Sequence, residues 1–196
     1  ILRQLIQDVE ISVRKALADR MAEESEAPSV LINILANDEL DVAHNILLNS
    51  EVLQDLELIE IIQHQTFEHQ LTIAMRDKVS EAVSEALVET GNTKVIKTLI
   101  ENDTAQISED TIETLVNVSK TEEPLQEPLL NRPDLSPHLA KRMYWWVSAA
   151  LRKHIVEQYQ IDPTELDQKI ESTIKDLLGE PEPVGGHGEI DTRSLD

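Results

Sequence analysis

The sequence predicts an all-α fold, a helical-repeat solenoid of about four helix pairs with two C-terminal helices. Apolar helical segments recur around Leu35, Ile62, Leu87 and Val116, in steps of 27, 25 and 29 residues. The segments that follow them end at similar steps, at Asn49, Arg76, Asn102 and Asn131. Two short helices and a turn need about this much chain, and a fixed period of about 20 to 50 residues is typical of stacked helical arrays.

Composition also favours helices. The chain has 196 residues, 40% of them apolar, but only five aromatic residues and five Gly. Leu, Ile, Ala and Glu are common, and Leu, Ala and Glu have a high helix propensity. No apolar run reaches the roughly 18 residues of a membrane span, so no membrane-spanning helix is predicted. The chain contains no Cys, so cysteine usage gives no indication of the redox compartment.

The expected organisation is a single helical-repeat domain over residues 1–178. Within it, repeats occupy 28–132 and C-terminal helices occupy 136–178. Residues 179–196 are rich in Pro, Gly and charge, which predicts a polar tail. The segment 2–21 fits the second helix of an incomplete leading pair. Because the sequence begins with Ile rather than Met, we expect that a preceding segment was removed.

Start and stop residues define the individual helices. The three regular pairs are predicted at 28–36, 40–48, 55–63, 67–75, 81–90 and 93–101. Residues with N-cap preference precede four helices, namely Asp55, Ser80, Asn92 and Ser108. Helices are expected to end in a left-handed conformation at Asn37, Asn49 and Gly91. The second helix of the fourth pair, within 122–131, should be short because Pro128 interrupts it.

One stretch resembles a known repeat. The sequence from Asp8 to Ala18, with Val13-Arg14 inside it, resembles the second helix of a HEAT repeat. This resemblance implies a HEAT-like solenoid in which Asp and Arg side chains link neighbouring repeats. The later pair keeps Asp41-Val42 without the Arg, so the sequence supports such a link at Arg14 alone.

A second resemblance covers residues 30–155. It rests on Asn37-Asp38, Val42-Ala43, Ile46-Leu47, Leu58-Ile59-Glu60-Ile61-Ile62, Ile73-Ala74-Met75-Arg76 and Arg132-Pro133-Asp134-Leu135. In this order the motifs resemble an alphaproteobacterial family catalogued as a domain of unknown function. The resemblance implies a bacterial, cytoplasmic helical-repeat protein, and it brings no catalytic residues.

The charge balance argues against a nucleic-acid partner. The net charge is -21, and an acidic surface repels phosphate backbones. Basic residues outnumber acidic ones in the segment 136–159, which carries four bases against one acid. We therefore expect a protein partner.

Catalytic and metal-binding patterns are absent from the sequence. His64 and His69 are five residues apart, which on a helix separates them by about 140°, whereas a two-His metal site uses a spacing of three or four. There is no Gly-rich phosphate loop and no nucleophile motif. We predict no metal, no cofactor and no enzymatic activity. The alternative is a ligand-sensing or enzyme-like helical domain with a pocket near His64, His69 and Arg76.

A row of acidic residues follows the repeat. Glu57, Glu85 and Glu113 recur at steps of 28 residues on the predicted first helices of successive pairs. One interpretation is a solvated face that maintains solubility. The other is a binding surface that attracts a basic partner. Glu57, Glu85 and Glu113 are therefore candidate protein-binding residues.

Trp145 is a second candidate. A single helix over 137–159, starting at Ser136-Pro137, would place Lys141, Trp145 and Arg152 opposite its apolar side. Either the last predicted helix, 163–178, covers Trp145, or the three residues form a partner-binding face. Stacked helix pairs present an extended surface over a continuous core and usually serve binding, so we predict a non-catalytic protein–protein interaction module. With the bacterial origin that the resemblance implies, this module would be an adaptor or scaffold in bacterial regulation.

Overall fold

The computed structural model describes residues 10–161, and every regular element in this range is helical. The α-helices are α1 (Ile11–Met21), α2 (Ser29–Ala36), α3 (Leu40–Asn49), α4 (Asp55–His64), α5 (Phe67–Ala74), α6 (Glu81–Glu89), α7 (Thr93–Ile100), α8 (Glu109–Val118), α9 (Gln126–Asn131), α10 (Pro137–Met143) and α11 (Ala149–Gln158). A 3-10 turn at Glu123–Leu125 leads directly into α9. The predicted all-α helical-repeat fold is confirmed.

The helices form two layers. In the first layer, α4 packs on α6, α6 on α8 and α8 on α10. In the second layer, α1 packs on α3, α3 on α5 and α5 on α7, and the 3-10 turn and α9 follow. Across the layers, α2 contacts α3, α4 contacts α5, α6 contacts α7 and α8 contacts α9, so the pairs stack side by side. A continuous set of buried apolar residues runs between the layers from Ala18 to Ile161. No helix within residues 10–161 has the length and apolar character needed to cross a membrane.

Serine and asparagine caps set the helix starts largely as predicted. Ser80 and Ser108 accept hydrogen bonds from the backbone N–H groups of Val83 and Thr111, at 3.3 and 3.2 Å. Asn92 caps α7 in the same way. Asp55 is not the N-cap of α4. It is the first helical residue, and Gln54 precedes it.

A left-handed helix end was expected at Asn37, Asn49 and Gly91. Of these three residues, Gly91 alone adopts it. Gly91 has φ 65°, which Gly adopts without steric cost. Asn37 ends α2 with φ -98°, and its side chain donates to the carbonyl of Asn33 at 3.0 Å instead. Asn49 is the last residue of α3, and the next residue, Ser50, is extended.

The single helix predicted over 137–159 is wrong. The chain leaves the helical path after Met143 and re-enters it at Ala149. Ser148 caps α11, because its hydroxyl accepts from the backbone N–H of Leu151 at 3.3 Å. Met143 and Val147, at the two ends of the break, are both buried in the core. The predicted helix 163–178, the tail 179–196 and the start of the segment 2–21 lie outside the described residues.

Each pair is tied to the one before it by side chains at its C-terminal end. Arg76, just after α5, donates to the carbonyl of Leu47 and to that of Ser50, the latter at 2.8 Å. Asn102, just after α7, donates to the carbonyls of Ala74 and Arg76 at 2.9 and 2.7 Å. The last carbonyls of a helix have no partner within it, so these contacts satisfy groups that would otherwise need water.

The same arrangement continues toward the C-terminus. Arg132, just after α9, donates to the carbonyls of Ile100 and Ala105 at 3.0 and 3.1 Å. The hydroxyl of Tyr159 donates to the carbonyl of Leu130 at 3.2 Å. We refer to the contacts made by Arg76, Asn102, Arg132 and Tyr159 as the carbonyl ties.

Candidate functional site

An open groove of about 670 Å3 lies between α6 and α8, where the third helix pair meets the fourth. Its apolar lining consists of Val88, Ile96, Val118 and Leu125. Ile96 and Leu125 are buried beneath it, whereas Val88 and Val118 remain partly exposed. The groove therefore offers apolar area that a bound segment would remove from water.

Carboxylates surround this apolar lining. Glu85, Glu89, Asp110 and Glu122 line the groove, and no basic residue does among those described. Glu122 accepts a hydrogen bond from the Thr93 hydroxyl at 2.9 Å. The carboxylates of the other three are exposed and have no hydrogen bond or ion pair within residues 10–161. Three negative charges thus face solvent beside an apolar surface.

Local sequence explains the two ends of the groove. At one end, Gly91 lets the chain turn sharply between α6 and α7, and the position of a Cβ there would meet open space. At the other end, the Ser108 cap starts α8 and places Asp110 in its first turn. Both features are local sequence signals, and the groove results from how the two helices are placed side by side.

We call the contact between the first helices of two successive pairs a seam, so that α2 and α4 form the first one. The seam between α6 and α8 differs from the others. Asn33 of α2 donates to Glu57 of α4 at 2.9 Å. Ser80, the cap of α6, donates to Asp55 of α4 at 2.7 Å. Arg142 of α10 pairs with Glu113 of α8. Between α6 and α8, no side chain of one helix bonds a side chain of the other within the described part of the chain. Ser84 of α6 donates to the carbonyl of Gln106, before α8 begins, at 2.7 Å, and the groove lies between the two helices.

The structure gives the three residues of the acidic row different surroundings. Glu57 is partly buried, and it accepts from Asn33 and from the backbone N–H of Gln54, both at 2.9 Å. The carboxylate of Glu113 is held by Arg142. Glu85 alone of the three faces the groove without a partner in residues 10–161. Two members of the row thus serve intramolecular contacts.

The second candidate surface lies around the break between α10 and α11. Trp145 is 44% exposed, and its ring meets that of Tyr144 edge-on at 5.7 Å. The guanidinium of Arg152 lies 5.4 Å from the centroid of the same Tyr144 ring. Lys141 is partly buried on α10. Trp145 and Arg152 therefore both contact the ring of Tyr144. The helix expected to cover Trp145 lies outside the described residues.

The histidines of the alternative pocket make structural contacts. His69 is 2% exposed, and its Nε2 lies 3.0 Å from the carbonyl of Asp38 while its Nδ1 lies 2.9 Å from the Thr66 hydroxyl. His64 is exposed, with Nδ1 2.8 Å from the carbonyl of Glu60. Both ring nitrogens of His69 are thus occupied.

Arg76 is also engaged, because its guanidinium makes the first carbonyl tie. Burial lowers the pKa of Arg76, and the nearby charge of Asp55 opposes this shift. No group of three or more His, Cys, Asp or Glu side chains in residues 10–161 could hold a metal ion.

Sequence reasoning did not single out Asp110, Thr114 or the apolar lining of the groove. One signal could have found them. The caps Ser80, Ser108 and Ser136 are 28 residues apart in both steps, so they align α6, α8 and α10 position by position. This alignment would have shown which positions change between one seam and the next.

A family model described as "Uncharacterised protein conserved in bacteria (DUF2336)" matches residues 42–184, well over half of the chain. The chain belongs to this family. The range that matches DUF2336 begins in α3 and includes every residue that lines the groove. No curated protein and no solved structure matches the chain.

Proposed function

We propose that this DUF2336 protein is a non-catalytic protein–protein interaction module, an adaptor or scaffold in bacterial regulation, and that the groove between α6 and α8 is its binding surface. The observation that carries this proposal is the combination of an apolar lining with three carboxylates that have no partner in the described residues. Stacked helix pairs present extended surfaces of this kind, and such surfaces usually serve binding.

The chemistry of the groove favours a basic protein segment. Burying Val88 and Val118 against apolar side chains of a partner would supply the driving force. The carboxylates of Glu85, Glu89 and Asp110 would select positively charged neighbours and speed their approach. The net charge of -21 acts in the same direction and against nucleic acid.

We also propose a HEAT-like relationship, an alphaproteobacterial origin and a cytoplasmic location for this protein. The ion pair of Arg14 with Asp38, at 2.8 Å, joins α1 to the turn between α2 and α3. This is the kind of inter-repeat contact that a HEAT-like repeat implies, and it supports a HEAT-like relationship. An alphaproteobacterial origin and a cytoplasmic location follow from the resemblance of residues 30–155 and remain part of the proposal.

Charge reversal in the groove tests this function. Random peptides displayed on phage are selected on the intact chain, and the affinity of the selected peptides is then measured for two triple variants. Glu85→Lys, Glu89→Lys and Asp110→Lys together should weaken binding at least tenfold. The matched control carries Glu23→Lys, Glu24→Lys and Glu26→Lys, which change the net charge equally in an exposed turn. Equal loss in both variants, or in neither, would argue against the groove.

A further inference from the structure

We propose that the groove is a receptor for an arginine side chain of the partner, and that Glu85 and Glu89 are the residues that bind its guanidinium. This inference rests on the proposed function and names the chemistry of the same site. It is carried by a comparison of two neighbouring seams within the molecule, those between α6 and α8 and between α8 and α10.

The helices α6, α8 and α10 share one register. Ser80, Ser108 and Ser136 each accept from a backbone N–H three residues later, at 3.3, 3.2 and 3.4 Å. The caps are separated by 28 residues in both steps. Furthermore, α10 packs on α8 and α8 packs on α6. A shift of 28 residues therefore moves any position of one seam to the corresponding position of the next.

The molecule itself binds a guanidinium between α8 and α10. Arg142 of α10 pairs with the carboxylate of Glu113. The same guanidinium donates to the side-chain oxygen of Asn117 at 3.0 Å. Glu113 and Asn117 are four residues apart and lie on one face of α8. Two acceptors, one helical turn apart, thus form an arginine site between α8 and α10.

The equivalent positions one repeat earlier lie in the groove between α6 and α8. Glu85 corresponds to Glu113, and Glu89 corresponds to Asn117. The position of Arg142 is taken by Thr114, whose hydroxyl donates to the carbonyl of Asp110 within its own helix at 3.0 Å. The two acceptors are therefore present between α6 and α8, the second now as a carboxylate, but the arginine is missing. Glu85, Glu89 and Thr114 all line the groove.

The geometry favours Arg over Lys. A guanidinium has five donors in a planar fork and can bond two acceptors at once, whereas an ammonium acts as a point charge. The exposed parts of Val88 and Val118 lie in the same groove and would contact the methylene groups of the arginine or an adjacent apolar residue. The expected ligand is a protein segment with an Arg next to an apolar side chain.

The first test needs no ligand. Thr114→Arg should restore the missing side chain from within, and should raise the melting temperature by a few degrees more than Thr114→Gln, which controls for helix propensity. In a chain that also carries Asp110→Asn, which removes the i,i+4 partner of the new Arg on its own helix, this difference should persist, and adding Glu85→Gln and Glu89→Gln should abolish it. A melting temperature of Thr114→Arg equal to that of Thr114→Gln in the native background would overturn the inference.

The second test uses two random peptide libraries that are identical except for a central Arg or a central Lys. The Arg library should enrich on the intact chain at least tenfold more than the Lys library, and Thr114→Arg should block the selected peptides. Equal enrichment, or peptides that still bind Thr114→Arg, would overturn the arginine site.

The two proposals fail in different ways. If selected peptides lose binding on the triple reversal of Glu85, Glu89 and Asp110 but do not require Arg, the groove stands and the arginine site falls. If peptides bind but tolerate the triple reversal, or if neither library enriches, the proposed function itself falls.

Discussion

Arg132 and Asp134 form a two-point ion pair, in which Nε lies 2.8 Å from Oδ1 and Nη2 lies 2.6 Å from Oδ2. Arg132 is only 3% exposed. The carboxylate orients a guanidinium whose remaining donors reach the carbonyls of Ile100, Asn102 and Ala105. This buried cation therefore joins the fourth helix pair to the end of the third.

Arg132→Met should lower the free energy of unfolding by about 3 to 5 kcal/mol, because it leaves a carboxylate and three carbonyls without their donor. Urea denaturation followed by far-UV circular dichroism measures this loss. Arg20→Met is the matched control. Arg20 is exposed and its side chain has no partner in residues 10–161, so the change should stay within about 0.5 kcal/mol. Similar midpoints for the two variants would contradict the role given to Arg132.

Glu57 and Glu85 occupy equivalent repeat positions but should respond differently to charge reversal. Glu57→Lys removes the acceptor of Asn33 and of the backbone N–H of Gln54, and should cost about 1 to 2 kcal/mol of unfolding free energy. Glu85→Lys removes no such contact and should change stability by less than about 0.5 kcal/mol. Thermal or urea unfolding measures the stability of both variants. Equal destabilisation would contradict the structural role given to Glu57.

The unfolding free energy should fall at alkaline pH in part because of Tyr159. Burial raises the pKa of the Tyr159 hydroxyl, and the charge of Asp134 raises it further. A folded-state pKa above the unfolded one stabilises the protein below about pH 10, and this contribution is lost as the pH rises through the folded value. Urea unfolding between about pH 8 and pH 11 should therefore show a steeper decline for the wild type than for Tyr159→Phe.

Tyr144→Phe provides the control for that experiment. The hydroxyl of Tyr144 makes no hydrogen bond within residues 10–161. This variant should decline with pH as steeply as the wild type. At neutral pH, Tyr159→Phe should lose about 0.5 to 1.5 kcal/mol, because the carbonyl of Leu130 loses its donor. Parallel pH profiles for Tyr159→Phe and the wild type would refute the prediction.

Gly91→Ala should reduce stability by about 1 kcal/mol, since φ 65° places a Cβ close to the following carbonyl. The surrounding space is open, so the cost should come from the backbone alone. Lys78 also has a left-handed backbone, with φ 57°. Lys78→Gly relieves the same steric conflict and should cost less than about 0.5 kcal/mol, despite the added freedom of the unfolded chain. Calorimetric melting of both variants tests this contrast.

Much of the helical array could be predicted because its signals are local. The predicted helix 81–90 corresponds to Glu81–Glu89, and the predicted 93–101 corresponds to Thr93–Ile100. Apolar spacing together with Ser80, Gly91 and Asn92 fixes these boundaries, and each of the three residues acts within its own turn.

The break after Met143 was missed because no Gly or Pro marks it. Ser148 carries the cap signal, but a Ser within an apolar helical pattern also fits an uninterrupted helix. Long-range contacts favour the break, since the indole N–H of Trp146 donates to Ser119 at 3.2 Å while Lys120 lies 5.1 Å from its ring. Such contacts join segments 27 residues apart. The spacing of apolar residues along the chain therefore does not reveal them.

The groove was not predictable from helical spacing alone. Its properties depend on which side chains meet across a seam, and Thr114 differs from Arg142 by lacking a donor that can reach the neighbouring helix. The 28-residue spacing of the acidic row does not distinguish Glu57 from Glu85. Glu57 accepts a hydrogen bond from Asn33, whereas Glu85 has no partner in residues 10–161.

The carbonyl ties have a consequence for how such a chain can change length. Each donor sits at the end of one pair, and its acceptors sit at the end of the pair before, about one period earlier. A duplication or loss of one whole period would bring a donor to an equivalent set of carbonyls and leave every helix end satisfied. After a gain or loss of half a period, a buried guanidinium or amide would lie beside a helix face that has no free acceptor. Its donors would then have no hydrogen-bond partner. The ties thus make the complete pair the unit by which the array is expected to lengthen or shorten during evolution.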